Sequence, residues 1–92
     1  MITIFHGTTK PRAIAAIFYD GLDHQKVLDW IRGKGIKCVY AASSNEILIQ
    51  RHGEPALRLR SRMVFVKDTT PEVMTEVLFR TMYNIDNETH TP

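Results

Sequence analysis

The residues able to do chemistry in this sequence fall in two places. The first is Phe5-His6-Gly7-Thr8-Thr9. A histidine at a strand end, followed by glycine and hydroxyls, leaves its imidazole and the nearby backbone open to a ligand. One ring nitrogen can hydrogen-bond a sugar hydroxyl while the other is fixed. The same residues also read as a strand-ending histidine followed by a helix cap. The second place is the alternation Arg58, Arg60, Arg62. On a strand these guanidinium groups project from one face, with about 6.6–6.8 Å between neighbours. Like charges so placed repel, and phosphates or carboxylates relieve the repulsion. Arg51, Lys34, Lys37 and Lys67 widen the basic surface, and Trp30 offers an apolar anchor. Such a stripe suits a nucleic-acid backbone or an acidic protein surface, with salt-dependent affinity and little sequence reading. No aromatic residues interleave with it, so it is not a base-stacking platform. It reads equally as a solvated outer sheet face paired with Asp68, Glu72 or Glu76.

Other chemistries find little support. His6, His24, His52, His90 and Cys38 are scattered, without the paired spacings of zinc sites, so no metal is expected. Cys38 sits in an apolar stretch, where a thiol is usually a small hydrophobe. Gly33-Lys34-Gly35 follows a predicted helix rather than opening one, which makes it a turn and not a phosphate cradle.

The elements that must position these residues follow from patterning. Ile2–His6 reads as a strand ending at Gly7. Thr8 or Thr9 caps a helix with Pro11 near its start and Ala13, Ile14, Ile17 and Phe18 on one side, stopped at Gly21. Asp23 caps a second helix that turns Val27, Leu28 and Ile31 inward, with Trp30 flanking. Lys37–Ala42 is a short buried strand. Ser43 or Ser44 caps a short helix carrying Ile47 and Leu48, with Glu46 in its first turn. Ala56–Lys67 is a long strand candidate, with Leu57, Leu59, Met63 and Phe65 opposite the arginines. A helix over residues 56–62 stays open, because Pro55 can start one and Ala, Leu and Arg favour it. Thr70-Pro71-Glu72 starts a last helix with Val73, Met74, Val77, Leu78 and Met82 as its stripe. The expected fold is α+β, a small sheet of three or four strands with three or four helices. It forms a single domain over residues 1–83, followed by a polar flexible tail at 84–92.

Length and charge bound the rest. The chain has 92 residues, 43% hydrophobic and 24% charged, with net charge +2. One domain fits that length, leaving no room for separate cofactor and substrate domains. No apolar run approaches the ~18 residues of a membrane helix. A single cysteine excludes an internal disulfide and points to a reducing, cytoplasmic setting. The charge is uneven. Residues 32–67 carry Arg32, Lys34, Lys37, Arg51, Arg58, Arg60, Arg62 and Lys67 against Glu46 and Glu54. Residues 68–92 carry Arg80 against Asp68, Glu72, Glu76, Asp86 and Glu88. A basic middle beside an acidic end suits either an anion-binding face or mutual neutralisation.

Three short motifs stand in order: His6-Gly7-Thr8, then Asp20-Gly21-Leu22, then Val39-Tyr40-Ala41-Ala42-Ser43-Ser44. Over about residues 2–67 this order resembles the N-terminal half of ADP-ribosyltransferases, in the branch of the poly(ADP-ribose) polymerases and RNA 2′-phosphotransferases. The resemblance implies that His6, with Gly7 and Thr8, binds the ribose of NAD. It implies that Tyr40 holds the nicotinamide side and that Ser43 and Ser44 match small hydroxyl positions. That family also uses a Glu or other polar residue on a late strand, whereas Glu72 and Glu76 here fall on a predicted helix. In size and general character the chain is similar to small phage or mobile-element inhibitors of the anti-CRISPR type. The leading expectation is a non-enzymatic binding protein without a cofactor. It would dock its arginine face on a host protein or nucleoprotein complex, or on its RNA or DNA, away from membranes. The alternative is an NAD-dependent ADP-ribosyltransferase-like enzyme, truncated or completed by a partner.

Overall fold

A computed structural model describes the backbone of residues 2–9, 12–67 and 70–91; the side chains of residues 7–9, 12, 13 and 84–91 lie outside that description. Strand β1 (Ile2–Thr9) and strand β2 (Arg12–Tyr19) form an antiparallel hairpin with Thr9 opposite Arg12. Helix α1 spans His24–Gly33. Strands β3 (Cys38–Ala41), β4 (Glu46–Arg51) and β5 (Glu54–Leu59) form a three-stranded antiparallel sheet in chain order. Strand β6 (Met63–Lys67), strand β7 (Glu72–Thr75), helix α2 (Glu76–Met82) and strand β8 (Asn84–Thr91) complete the described chain. The second sheet has five strands in the order β7-β6-β2-β1-β8.

The five-stranded sheet is apolar on both faces. One face places Ile2, Ile17, Tyr19 and Phe65 against Val27, Leu28 and Ile31 of α1 and against Ile47, Ile49 and Leu59 of the smaller sheet. The other face places Phe5, Ile14, Ala16, Val64, Val66 and Met74 against Phe79 and Tyr83. The layers are therefore α2, the large sheet, and then α1 with the small sheet. The class is α+β as expected. The described residues hold eight strands and two helices, where three or four of each were predicted.

Each difference has a local cause. Residues 12–19 form a strand because β2 lies between β1 and β6 and is buried on both faces. Such a strand reads as a continuous apolar run, which periodicity alone does not separate from a buried helix. Residues 46–51 alternate inward and outward as the central strand of the small sheet, and the predicted cap at Ser43–Ser44 is a turn ending at Asn45 with φ 52°. The predicted strand 56–67 is two strands in different sheets. The chain reverses at Arg60–Arg62, where Arg62 takes φ 69° and the Arg62 N–H donates to the Tyr19 carbonyl at 2.7 Å. The last helix starts later than expected, at Glu76, where the Thr75 hydroxyl accepts from the Leu78 N–H. Residues 72–75 pair with β6 instead, because Val73 and Met74 fall on opposite apolar faces of the sheet edge. The polar tail expected at 84–92 includes β8, paired along β1. The second predicted helix stands where the sequence pointed, and so does the strand around Cys38, but that strand was expected to be buried and only Cys38 is, because Val39 falls on the outer face of the small sheet. Among the described residues, no helix is long and apolar enough to cross a membrane.

Candidate functional site

The arginine stripe does not survive as one row. Arg58 sits on β5, Arg60 just past its end, and Arg62 in the turn to β6. Two of the three nevertheless converge on one carboxylate. Arg60 donates through Nε to Glu46 Oε2 at 2.6 Å, and an Arg58 terminal nitrogen lies 3.8 Å from Glu46 Oε1. The Glu46 side chain is only 7% exposed, whereas Arg58 and Arg60 are each 64% exposed. The hydrogen bond from Arg60, then one from Ser44, holds the Glu46 carboxyl below the usual carboxylate range. Each guanidinium carries five donors, so most remain for a partner. Register puts Val39, Leu48 and Arg58 in one row across the small sheet, on the face turned away from the core. Val39 is exposed, so this outer face combines a small apolar centre with two oriented cations.

The sequence offers Asp68, Glu72 and Glu76 as the counter-charge. Asp68 lies outside the described residues, and Glu76 pairs with Arg80 on α2 at 3.1 Å. The counter-charge is Glu46, hidden because its segment read as a helix. The remaining basic residues are dispersed. Lys34 stands over the Trp30 ring at 4.8 Å, and Trp30 packs edge-on against Phe65, so it is largely engaged in the α1 layer. Lys67 is on β6, across from Ala15, which is itself across from the exposed His6. Arg51 donates to the Pro55 carbonyl at 2.9 Å and lies 3.3 Å from Glu54.

Lys37, Arg51 and His52 border an open cleft of about 610 Å³ beside the β4–β5 hairpin. A second groove of about 380 Å³ shares Arg51, Thr70 and Pro71 with it and continues along Leu57, Val73, Met74, Leu78 and Met82.

The residues of the transferase resemblance are spread over both sheets. His6 is on β1 of the large sheet, next to a register shift at His6/Gly7, and the Thr8 side chain lies outside the description. Tyr40 is on β3 of the small sheet, and Ser43 is exposed in the turn that follows. Tyr40 is already engaged: it stacks on His24 with ring centroids 3.8 Å apart and donates to Asn45 Oδ1 at 2.8 Å. Tyr19 donates to the same oxygen at 2.7 Å, and Asn45 Nδ2 donates to the Gly21 carbonyl at 3.0 Å. One asparagine thus ties β2 of the large sheet to β3 of the small one. Burial first, then the nearby Tyr40 and Asp20, push the Tyr19 phenol up to about 12. Sequence reasoning missed this node, although an asparagine after two serines marks a turn that tolerates positive φ. Cys38 is buried, and burial pushes its thiol up. Among the described residues, no three His, Cys, Asp or Glu side chains come together as metal ligands. The sequence matches no family model, and no significant match links it to a curated protein or a solved structure.

Proposed function

We propose that the protein is a non-enzymatic binding protein that docks the outer face of its three-stranded sheet on the phosphate backbone of a nucleoprotein complex, in a cytoplasmic setting. A protein so docked blocks whatever else uses that surface, as a small phage or mobile-element inhibitor would. The observation that carries the reading is the convergence of Arg58 and Arg60 on the covered carboxylate of Glu46. Holding the two guanidinium groups in place lowers the ordering cost of meeting an anion. The one carboxylate leaves a positive surplus, and Arg62 in the adjoining turn adds to it. Charge-assisted bonds to phosphate are the strong kind, and arginine presents them in pairs.

The test is fluorescence anisotropy with a short labelled DNA duplex and a single-stranded RNA of equal length, each over a salt series. Wild-type binding should weaken steeply with salt, and the double variant Arg58→Glu with Arg60→Glu should lower the log–log slope by about two, one phosphate per arginine. Absence of binding to both probes at low salt, or an unchanged slope in the variant, overturns the proposal.

A further inference from the structure

The outer face of the small sheet carries more than its two arginines. Arg58 and Arg60 stand in line along one side of it, two residues or about 6.6 Å apart. Beside that line lie the outer positions of β4 and β3. The register sets Leu48 next to Arg58 and Val39 next to Leu48. Neighbouring strands are about 4.8 Å apart, so this apolar row reaches from about 5 to about 10 Å sideways from the cations. Leu48 is half-buried, and Val39 is 57% exposed. Charge on the face does not cancel, because the single carboxylate of Glu46 meets both arginines.

A nucleic-acid strand has a matching cross-section, with charge along one line and bases to one side of it. In a duplex the bases are stacked and paired inside. Docking a duplex on the cations would leave Val39 and Leu48 against sugar, phosphate and water. In a single strand a base can leave the stack and cover them, which removes apolar surface from water on both partners. Valine and leucine give that base an apolar rest and not a ring to stack on, so the gain per base is smaller than on an aromatic platform. The sugar matters as well. A ribose 2′-hydroxyl brought against aliphatic side chains loses water without gaining a partner, and deoxyribose has none to lose. Thymine adds a methyl group, which apolar side chains contact well.

We infer that, given the phosphate docking proposed above, this face takes single-stranded DNA. The backbone follows Arg58 and Arg60, and a base, thymine for preference, rests on Leu48 and Val39. The arginines then supply the salt-dependent attraction, and Val39 sets the preference for an unpaired strand.

Fluorescence anisotropy with the full chain at one low salt concentration compares four labelled probes of equal length. They are oligothymidine DNA, the same strand with abasic sites in place of its bases, oligouridine RNA and a DNA duplex. Oligothymidine should bind about fivefold more tightly than the abasic strand, and more tightly than the RNA or the duplex. Val39→Trp puts a stacking ring into the row; it should tighten oligothymidine by about fivefold or more and leave the abasic strand unchanged. Val39→Ser should reduce the preference over the abasic strand to about twofold. Both variants change an exposed side chain, and far-UV circular dichroism checks that they keep the fold. Equal affinity for oligothymidine and its abasic analogue, tighter binding of the RNA or the duplex, or indifference to Val39→Trp overturns the inference. If Arg58→Glu with Arg60→Glu still lowers the salt slope by about two in that case, phosphate docking stands and only the base row falls. Binding of none of the four probes overturns both.

Discussion

Replacing Asn45 by alanine should destabilise the protein by about 3 kcal/mol. Asn45 carries three duties at once. Its backbone takes φ 52°, a region in which alanine costs roughly 1–2 kcal/mol and asparagine less. Its Oδ1 accepts from the buried Tyr19 hydroxyl at 2.7 Å, and leaving that donor unpaired costs about 1–3 kcal/mol. Its Nδ2 satisfies the Gly21 carbonyl, a bond of about 1 kcal/mol. Tyr40 is half-buried and can turn to water, so its loss adds little. Urea unfolding of Asn45→Ala and Asn45→Gly separates these contributions. Glycine loses the same hydrogen bonds but adopts positive φ freely, so it should recover about 1 kcal/mol less its own entropy cost. A cycle with Tyr19→Phe isolates the phenol bond. Once the hydroxyl is gone, Asn45→Ala should cost at least about 1 kcal/mol less than it does in the wild type. A cycle that closes to zero, together with Asn45→Ala no less stable than wild type, would refute the account of Asn45 as the bond between the two sheets.

Four further outcomes follow from the same structure. Glu46 has a lowered folded pKa, so its stabilisation is present above the unfolded carboxyl pKa and is lost as pH falls through the folded one; Glu46→Gln should flatten the acid side of the stability–pH curve, measured by urea midpoints. Tyr19 has the opposite sign: its phenol is raised to about 12, so stability holds below the ordinary phenol pKa near 10 and falls between there and about 12. Tyr19→Phe should weaken that alkaline loss, and ultraviolet titration should find one late phenol in the wild type. Gly21 takes φ 90°, and an added Cβ would lie 2.6 Å from the Ser61 hydroxyl. Gly21→Ala should therefore cost about 1–3 kcal/mol, and Ser61→Gly in the same chain should return only the steric part. Phe79 is fully buried between Phe5 and Tyr83, with ring centroids at 4.7 and 5.2 Å. Phe79→Ala should cost about 3–5 kcal/mol by calorimetry, which detaches α2 from the large sheet.

What the sequence determined by itself was local. The amphipathic spacing of Val27, Leu28 and Ile31 specified α1 and its buried face, because only a helix puts those three on one side. The β-branched run Ile2-Thr3-Ile4 specified a strand, and Cys38–Ala41 followed the same logic. The α+β class, the helical pairing of Glu76 with Arg80, and the concentration of cations between residues 32 and 67 were also legible. What only the tertiary structure decided was long-range. Residues 12–19 and 46–51 carry apolar patterns compatible with helix or strand, and neighbouring strands on both sides selected the strand. The even spacing of Arg58, Arg60 and Arg62 promised one row, but the turn at Arg60–Arg62 split it, since a continuing strand would not have brought Met63–Lys67 into the large sheet beside β2. The partner of those arginines, Glu46, lies on the adjacent strand. The Asn45 node joins residues from β2, β3 and the turn after β3, and no local pattern encodes that meeting. Periodicity reports which side chains avoid water; it does not report which distant segment covers them, and for this chain that covering decided which charges stayed exposed.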